Sequence, residues 1–209
     1  MGSADTEEDR HDDEGPRHEV RLTQGYWLFD TPCTQALWQA VMDDNPSGFQ
    51  GEDRPVESVS WEDCQGFIER LNAQLPELGL RLPTEAQWEY ACRAGTETAR
   101  YAENLDTIAW YAENSGSETH AVGQLQPNAW GFYDMLGNVD EWCDDGRRDY
   151  TEETQVDPVG STDADADRVI RGGGWRDSSQ YVRAAYRGWG PPGVAGGLLG
   201  FRCASSGGR

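Results

Sequence analysis

The chain has 209 residues, enough for one domain that buries roughly two-thirds to three-quarters of its unfolded surface without disulfide staples. Its 38 Asp and Glu against 17 Lys and Arg leave a formal charge of -21, which argues against nucleic-acid binding, because that needs basic side chains to displace counterions. No stretch approaches a membrane span and no secretory signal is visible, and the 5 cysteines form no CxxC pair, so neither a zinc nor a dithiol motif is expected and a reducing, cytoplasmic setting is the simpler one.

Residues 1–16 carry Asp5, Glu7, Glu8, Asp9, Asp12, Asp13 and Glu14 and read as a solvated, disordered acidic segment. The domain itself is expected over 17–204, with 205–209 as a tail. Alternation over His18–Leu22 predicts a strand, and Gly25–Asp30 a second. Leu37, Trp38, Val41 and Met42 recur at helical spacing, and Asn45-Pro46 lies beyond them as a stop. Ser60 is placed to cap the next helix, Asp63 favours its positive end, and Cys64, Phe67, Ile68 and Leu71 form one apolar stripe. Thr84 and Gln87 make a capping box for a third helix, with Gly95 as its left-handed stop. Beyond Gly95, short apolar runs alternate with Gly, Asn, Asp and Pro, the pattern of small strands joined by long loops. Helices followed by a loop-dominated half predict an α+β domain.

Four local motifs stand out. They are Arg81-Leu82-Pro83-Thr84-Glu85-Ala86-Gln87-Trp88-Glu89-Tyr90-Ala91; Trp130-Gly131-Phe132-Tyr133-Asp134-Met135-Leu136-Gly137-Asn138-Val139 with Glu141-Trp142; Arg168 to Trp175 with its Gly172-Gly173-Gly174; and Arg183-Ala184-Ala185-Tyr186-Arg187 followed by Gly200-Phe201-Arg202. Three consecutive glycines let another backbone or an aromatic face approach closely. Trp88, Trp130, Trp142 and Trp175 read first as core plugs. Arg183 and Arg202 are expected to bury their stems and pair with acids such as Glu89 or Glu141. In this order, across about residues 16–204, the motifs resemble the formylglycine-generating-enzyme (sulfatase-modifying-factor) family. The resemblance implies a variant C-type-lectin-like fold with few helices, short strands and long loops.

The family's oxidation chemistry uses two cysteines that bind copper. Anchored on Gly172-Gly173, that pair falls at Asp177 and Val182, and a carboxylate with a valine offers soft copper no thiolate. Copper is therefore not expected. A related branch, the iron-dependent sulfoxide synthases, carries a histidine cluster, whereas His11, His18 and His120 lie apart with no facial-triad spacing. By position, the resemblance implies calcium at the Asp134 and Glu141 side chains and the Gly137 and Val139 carbonyls, hard oxygen donors of the kind calcium takes; the alternative is that both acids make caps and ion pairs inside the domain. Asp140 stands where the family commonly has Trp.

The remaining signal is the stretch from Trp175 to Leu199. Arg176, Asp177, Ser178, Ser179, Tyr181, Tyr186, Gly188, Trp189, Gly190 and Val194 are the candidate ligand-binding residues, because Tyr, Trp, Ser, Gly and Arg dominate evolved binding surfaces. The layout, a Gly-Gly-Trp-type start and a Gly-Phe-Arg end, also resembles the variable proteins of diversity-generating retroelements. That implies a non-catalytic protein displaying a C-terminal face to a protein or other macromolecular ligand. The alternative is an enzyme or accessory factor of the family with chemistry other than cysteine oxidation, for which a deep pocket with converging polar groups is expected.

Overall fold

A computed structural model describes residues 1–206. The three helices form where their caps place them. Thr34 Oγ1 accepts from Leu37 N to open α1 (Gln35–Met42). Ser60 and Asp63 exchange reciprocal bonds at the start of α2 (Trp61–Gln74), and Thr84 with Gln87 does the same for α3 (Glu85–Arg93). α3 closes one residue before the expected glycine: Ala94 itself takes the left-handed conformation at φ 43°, and Gly95 follows at φ 92°.

The loop-rich half is organised by a four-stranded sheet. β4 (Asp140–Gly146) and β6 (Arg168–Arg171) are its centre, paired antiparallel with Glu141 opposite Arg171. β7 (Gly188–Gly190) adds to β6, and β8 (Leu199–Gly200) runs parallel to β4. A three-stranded sheet sets β9 (Ala204–Ser206) between β2 (Tyr26–Leu28) and β3 (Leu80–Arg81). Ser205 and Ser206, expected in a tail, are thus strand residues in the middle of a sheet; 207–209 lie outside the described residues. The third sheet pairs β1 (Val20–Arg21) in parallel with β5 (Gln155–Val156). The whole is an α+β domain, as expected, with short strands held by long connections.

Two cores hold it. In one, Trp38, Phe67 and Phe201 stack and meet edge-on over Leu82, Trp142 and Cys203. In the other, Trp88 packs with Ile108, Met135, Leu136, Val169 and Val182. Trp88 and Trp142 are the core plugs that the sequence suggests. Trp175 is half-buried and Trp130 is 46% exposed, so neither of those two is a plug. All five cysteines are free and buried; burial pushes their thiols up, Cys92 and Cys203 to about 12. Among the described residues, no helix is long and apolar enough to cross a membrane.

The acidic segment 1–16 does not lie free in this structure. Gly2 N–H donates to Glu89, Ser3 and Glu14 are buried, and a short 3₁₀ turn forms over Asp12–Glu14. Charge alone suggested solvation. What holds the segment is a buried guanidinium far along the chain: Arg183 Nη1 reaches Glu7 at 2.7 Å and Glu14 at 2.9 Å, and Arg183 Nη2 donates to the Asp9 carbonyl. A buried cation requires such partners.

Candidate functional site

The segment from β6 to β9 begins at a turn that only glycine accommodates. Gly172 (φ +104°) lies under the Trp88 ring, where a Cβ would come within 3.3 Å of it and 3.2 Å of the Met135 carbonyl. Gly173 follows at φ +73°. The turn is fastened by two carboxylates on consecutive amides: Asp140 Oδ1 accepts from Gly173 N (3.0 Å) and Asp177 Oδ2 from Gly174 N (2.8 Å). Asp140 is thus folded into the interior beside Asp177, and burial, followed by the like charge of Asp177, holds its carboxyl well above the usual range.

Four arginines then pin the segment to the frame. Arg171 Nη2 contacts Glu89 at 2.6 Å, and its Nη1 contacts Glu85 at 3.2 Å. Arg187 grips the same Glu85 through Nε and Nη2, at 2.6 and 3.1 Å. Arg183 holds Glu7 and Glu14. Arg202 donates from Nε and Nη2 to Glu141 at 2.7–3.0 Å, and Trp88 Nε1 donates to the same carboxylate at 2.7 Å. Arg183 and Arg202 are therefore internal ion pairs; Arg202 takes the expected Glu141, whereas the partners of Arg183 come from the N-terminal segment. Burial alone would raise the Glu89 carboxyl, but Arg171 and Arg93 outweigh it and bring it down to about 2.

Between these pins lie the ten candidate ligand-binding residues, in three neighbourhoods. Tyr181 and Tyr186 meet edge-on with centroids 5.1 Å apart, and the His11 ring packs on both, at 5.9 and 5.5 Å. Burial, and then the Asp140 and Asp177 carboxylates, push the Tyr186 hydroxyl up, which sets Asp177 beside this cluster. Ser178 and Ser179 make the turn leading into it: their carbonyls accept from Tyr181 N and Val182 N, and Arg100 also donates to Ser179 O. The second neighbourhood is β7. Gly188 and Gly190 flank Trp189 there, and the Trp189 ring lies under the Arg147 guanidinium at 3.7 Å instead of joining the tyrosines. In the third, Arg176 is exposed next to Trp175, whose Nε1 donates to Gly197 O, and Val194 is exposed in the turn that follows Pro191. All ten are exposed or half-buried, in contrast to Val182, Ala184 and Ala185 between them, which are buried. His11 is the residue that sequence reasoning left out: it belonged to a stretch read as disordered, and nothing local marks its tyrosine partners.

The position of the absent cysteine pair is also clear. Asp177 sits at the surface turn and Val182 is fully buried in the second core. Cys203 lies in the other core.

The implied calcium ligands do not fit that ion as a set. Both Glu141 oxygens are taken by Arg202 and by the Trp88 indole, and the fixed guanidinium already supplies the positive charge that a metal would bring. Arg202 Nη2 also takes the Asp134 carbonyl, and Asp134 Oδ2 accepts from Gly123 N. Asp134 Oδ1 alone is buried without a partner. Gly137 N donates to Gly172 O and the Val139 side chain is packed in the interior, so the misfit rests on the two acids and not on the Gly137 and Val139 carbonyls. Among the described residues, no group of three or more His, Cys, Asp or Glu is arranged to hold a metal.

Comparison with known proteins gives this architecture a family. The structure of Treponema denticola variable protein 1 superposes with a TM-score of 0.85 at 34% identity, covering 91% of this chain and 87% of that one. The chaperone protein LppX of Paenibacillus barcinonensis is 33% identical over 219 residues, 78% of this chain and 74% of that protein. The formylglycine-generating enzyme of Streptomyces coelicolor is 36% identical over 172 residues, 72% of this chain. The chain spans 52% of that enzyme's length, and only 24% of the chlamydial serine/threonine-protein kinases it also matches. The sulfatase-modifying factor enzyme 1-like domain matches residues 1–206, and the chain belongs to that family, on its variant C-type-lectin-like fold.

Proposed function

We propose that the chain is a non-catalytic binding protein that presents residues 176–199 to a macromolecular ligand, and that it is the variable protein of a diversity-generating retroelement. One observation carries the reading. Buried arginine–carboxylate pairs fix the backbone at 171, 183, 187 and 202, while the side chains at 176–181, 186, 188–190 and 194 are exposed or half-buried. Such a frame tolerates replacement of its displayed side chains, because surface substitutions away from buried features cost little. The similarity to Treponema denticola variable protein 1 supports the same reading. Against the enzyme alternative stand the carboxylate and valine at the copper positions, together with five cysteines whose burial disfavours the thiolate form.

The test is genomic and then biochemical. The source genome is expected to carry a reverse transcriptase gene and a near-identical repeat of the coding sequence for about 170–202, differing only at template adenines. A genome with neither feature removes the retroelement reading. Copper uptake at one equivalent, coupled to thiol oxidation, would remove the binding reading itself.

A further inference from the structure

The N-terminal loop closes on itself at its foot, where Met1 and His18 meet. His18 N donates to Met1 O at 3.1 Å, and Met1 N donates to His18 O at 2.9 Å. Beside this rung Gly2 N donates to Glu89 Oε1 at 2.9 Å, and Arg93 Nη2 donates to Gly2 O at 3.0 Å. Ser3 N then donates to Glu14 O at 3.0 Å. Gly2 is wedged in the foot: a Cβ there would come within 2.5 Å of Glu14 O and 3.4 Å of the Tyr150 ring. Glu14 links the foot to the rest of the loop, because its carboxylate also takes Arg183 and the His11 N–H, and the His11 ring packs on Tyr181 and Tyr186.

The side chain at this foot is an imidazole with no acceptor for a second proton. His18 is 6% exposed, and its ring meets Tyr150 edge-on at 4.7 Å. Its Nδ1 lies 3.0 Å from Pro16 O; a carbonyl only accepts, so the neutral ring carries its proton on Nδ1. Nε2 is buried and has no partner among the described residues. A proton added there would be a buried N–H without an acceptor, on a ring that has become a cation. The surrounding charges do not offset that cost. The guanidinium groups of Arg148 and Arg187 already lie on the Tyr150 ring, at 4.8 and 3.9 Å, and the Met1 amino group belongs to the rung. Glu89 faces His18 from α3, but its oxygens are engaged by Gly2 N, Arg93 and Arg171. Burial holds the ring's pKa below its ordinary 6.5; the Pro16 carbonyl works against burial, the Met1 amino group and Arg148 with it, and Glu89 against it.

We propose that His18 is a proton-operated fastening for residues 1–16: the neutral ring keeps the foot closed, and the protonated ring opens it and slackens the hold on Glu14 and His11. Opening releases the ring to water and to its ordinary value. The closed form is therefore fully favoured above about pH 6.5 and loses ground as the pH falls below it. Arg183 is a second fastening that does not read the same signal. Burial would raise the Glu14 carboxyl, but Arg183 outweighs it and holds that group below its ordinary 4.5. The loop thus loosens at its foot while its crown stays tied. Because His11 sits on two of the displayed tyrosines, the same proton acts on that part of the face; this consequence, unlike the fastening, rests on the reading proposed above.

Amide hydrogen exchange of the whole chain, corrected for the intrinsic rate at each pH, reads the foot through Ser3 and His18. Between about pH 7.5 and about 5.5, protection at both amides is expected to fall by about threefold or more, while the Trp88 amide within α3 keeps its protection. In His18→Phe, which keeps a ring against Tyr150 and cannot take a proton, the fall is expected to vanish. Arg148→Met retains His18 and removes a neighbouring cation, so there the fall is expected to shrink; it serves if the phenylalanine variant does not fold. Equal protection at the two pH values overturns the fastening. So does a fall that persists undiminished in either variant, which would place the titrating group elsewhere, His11 included. A fall shared by Trp88 would be global unfolding and overturns it as well. All of these readouts lie outside 176–199, so they hold or fail independently of the retroelement test.

Discussion

The four arginines of the C-terminal third and the ten residues displayed between them follow opposite rules. Arg171, Arg183, Arg187 and Arg202 are buried, and each is matched to a carboxylate from a distant part of the chain: Glu85 and Glu89 on α3, Glu7 and Glu14 in the first turns, Glu141 on β4. Most of the displayed residues are matched to little, Asp177 on the glycine turn being the exception. Tyr181 leans on Tyr186, Trp189 on Arg147, and Arg176 and Val194 reach solvent. The contrast teaches how a loop-rich domain keeps its shape with very short strands. Guanidinium forks, whose geometry is fixed and directional, stand in for a long hydrogen-bonded ladder, and most side chains between them carry none of that fastening.

The sharpest way to break this contrast is at Arg202. Arg202→Met leaves Glu141 buried with only the Trp88 indole as donor, and the expected loss is about 3–5 kcal/mol of unfolding free energy. A denaturant midpoint within experimental error of the parent would show that the pins do not carry the fold. Acid is expected to act on the same network at Glu89. Its folded carboxyl lies at about 2, below its ordinary 4.5, so its stabilisation is complete above about pH 4.5 and is lost as pH falls toward 2. The full effect is on the order of 3 kcal/mol. Glu89→Gln is expected to be less stable at neutral pH and to show a flatter acid limb. If the parent and Glu89→Gln lose stability in parallel between pH 4.5 and 2, another carboxylate governs acid unfolding.

The frame was more legible in the sequence than its fastening. Ser60 and Thr84 announce two helices because capping is local chemistry, carried by residues three apart, and the spacing of Leu37, Trp38, Val41 and Met42 announces the first. The glycine turn at 172–174 reads as a close approach, and Trp88 is the face that approaches it. The acidic first segment misled because a charge run carries no information about a partner 169 residues away, the separation between Glu14 and Arg183. β4 was hidden for the same reason: Asp140, Glu141, Asp144 and Asp145 are unlike a central strand until Arg202 and backbone amides are seen to satisfy several of them. On the candidate face, sequence order grouped Trp189 with Tyr181 and Tyr186, but the chain turns at Arg187 onto Glu85 and carries Trp189 to β7.

A smaller effect concerns the central turn. With Arg202 already on Glu141, added calcium is expected to leave the thermal midpoint where chelator leaves it. A calcium-dependent rise that disappears in Asp134→Ala would show that the free Asp134 oxygen recruits the ion despite the neighbouring guanidinium.

The smallest effect on stability, and the one that most sharpens the contrast, is on the face itself. Arg176→Ala and Val194→Ala remove exposed side chains outside the arginine network, and each is expected to change unfolding free energy by no more than about 0.5 kcal/mol. Tyr181→Ala loses ring contacts with Tyr186 and His11, and is expected to cost about 1 kcal/mol. Melting the three variants beside Val182→Ala gives the comparison its scale. Val182 is fully buried in the Trp88 core, and its truncation creates a cavity that is expected to cost more than any of the three. If Arg176→Ala or Val194→Ala destabilises as strongly as Val182→Ala, those positions belong to the frame. A face whose side chains hold up the fold is not free to be rewritten for each new ligand, so that outcome would count against display as well as against the packing.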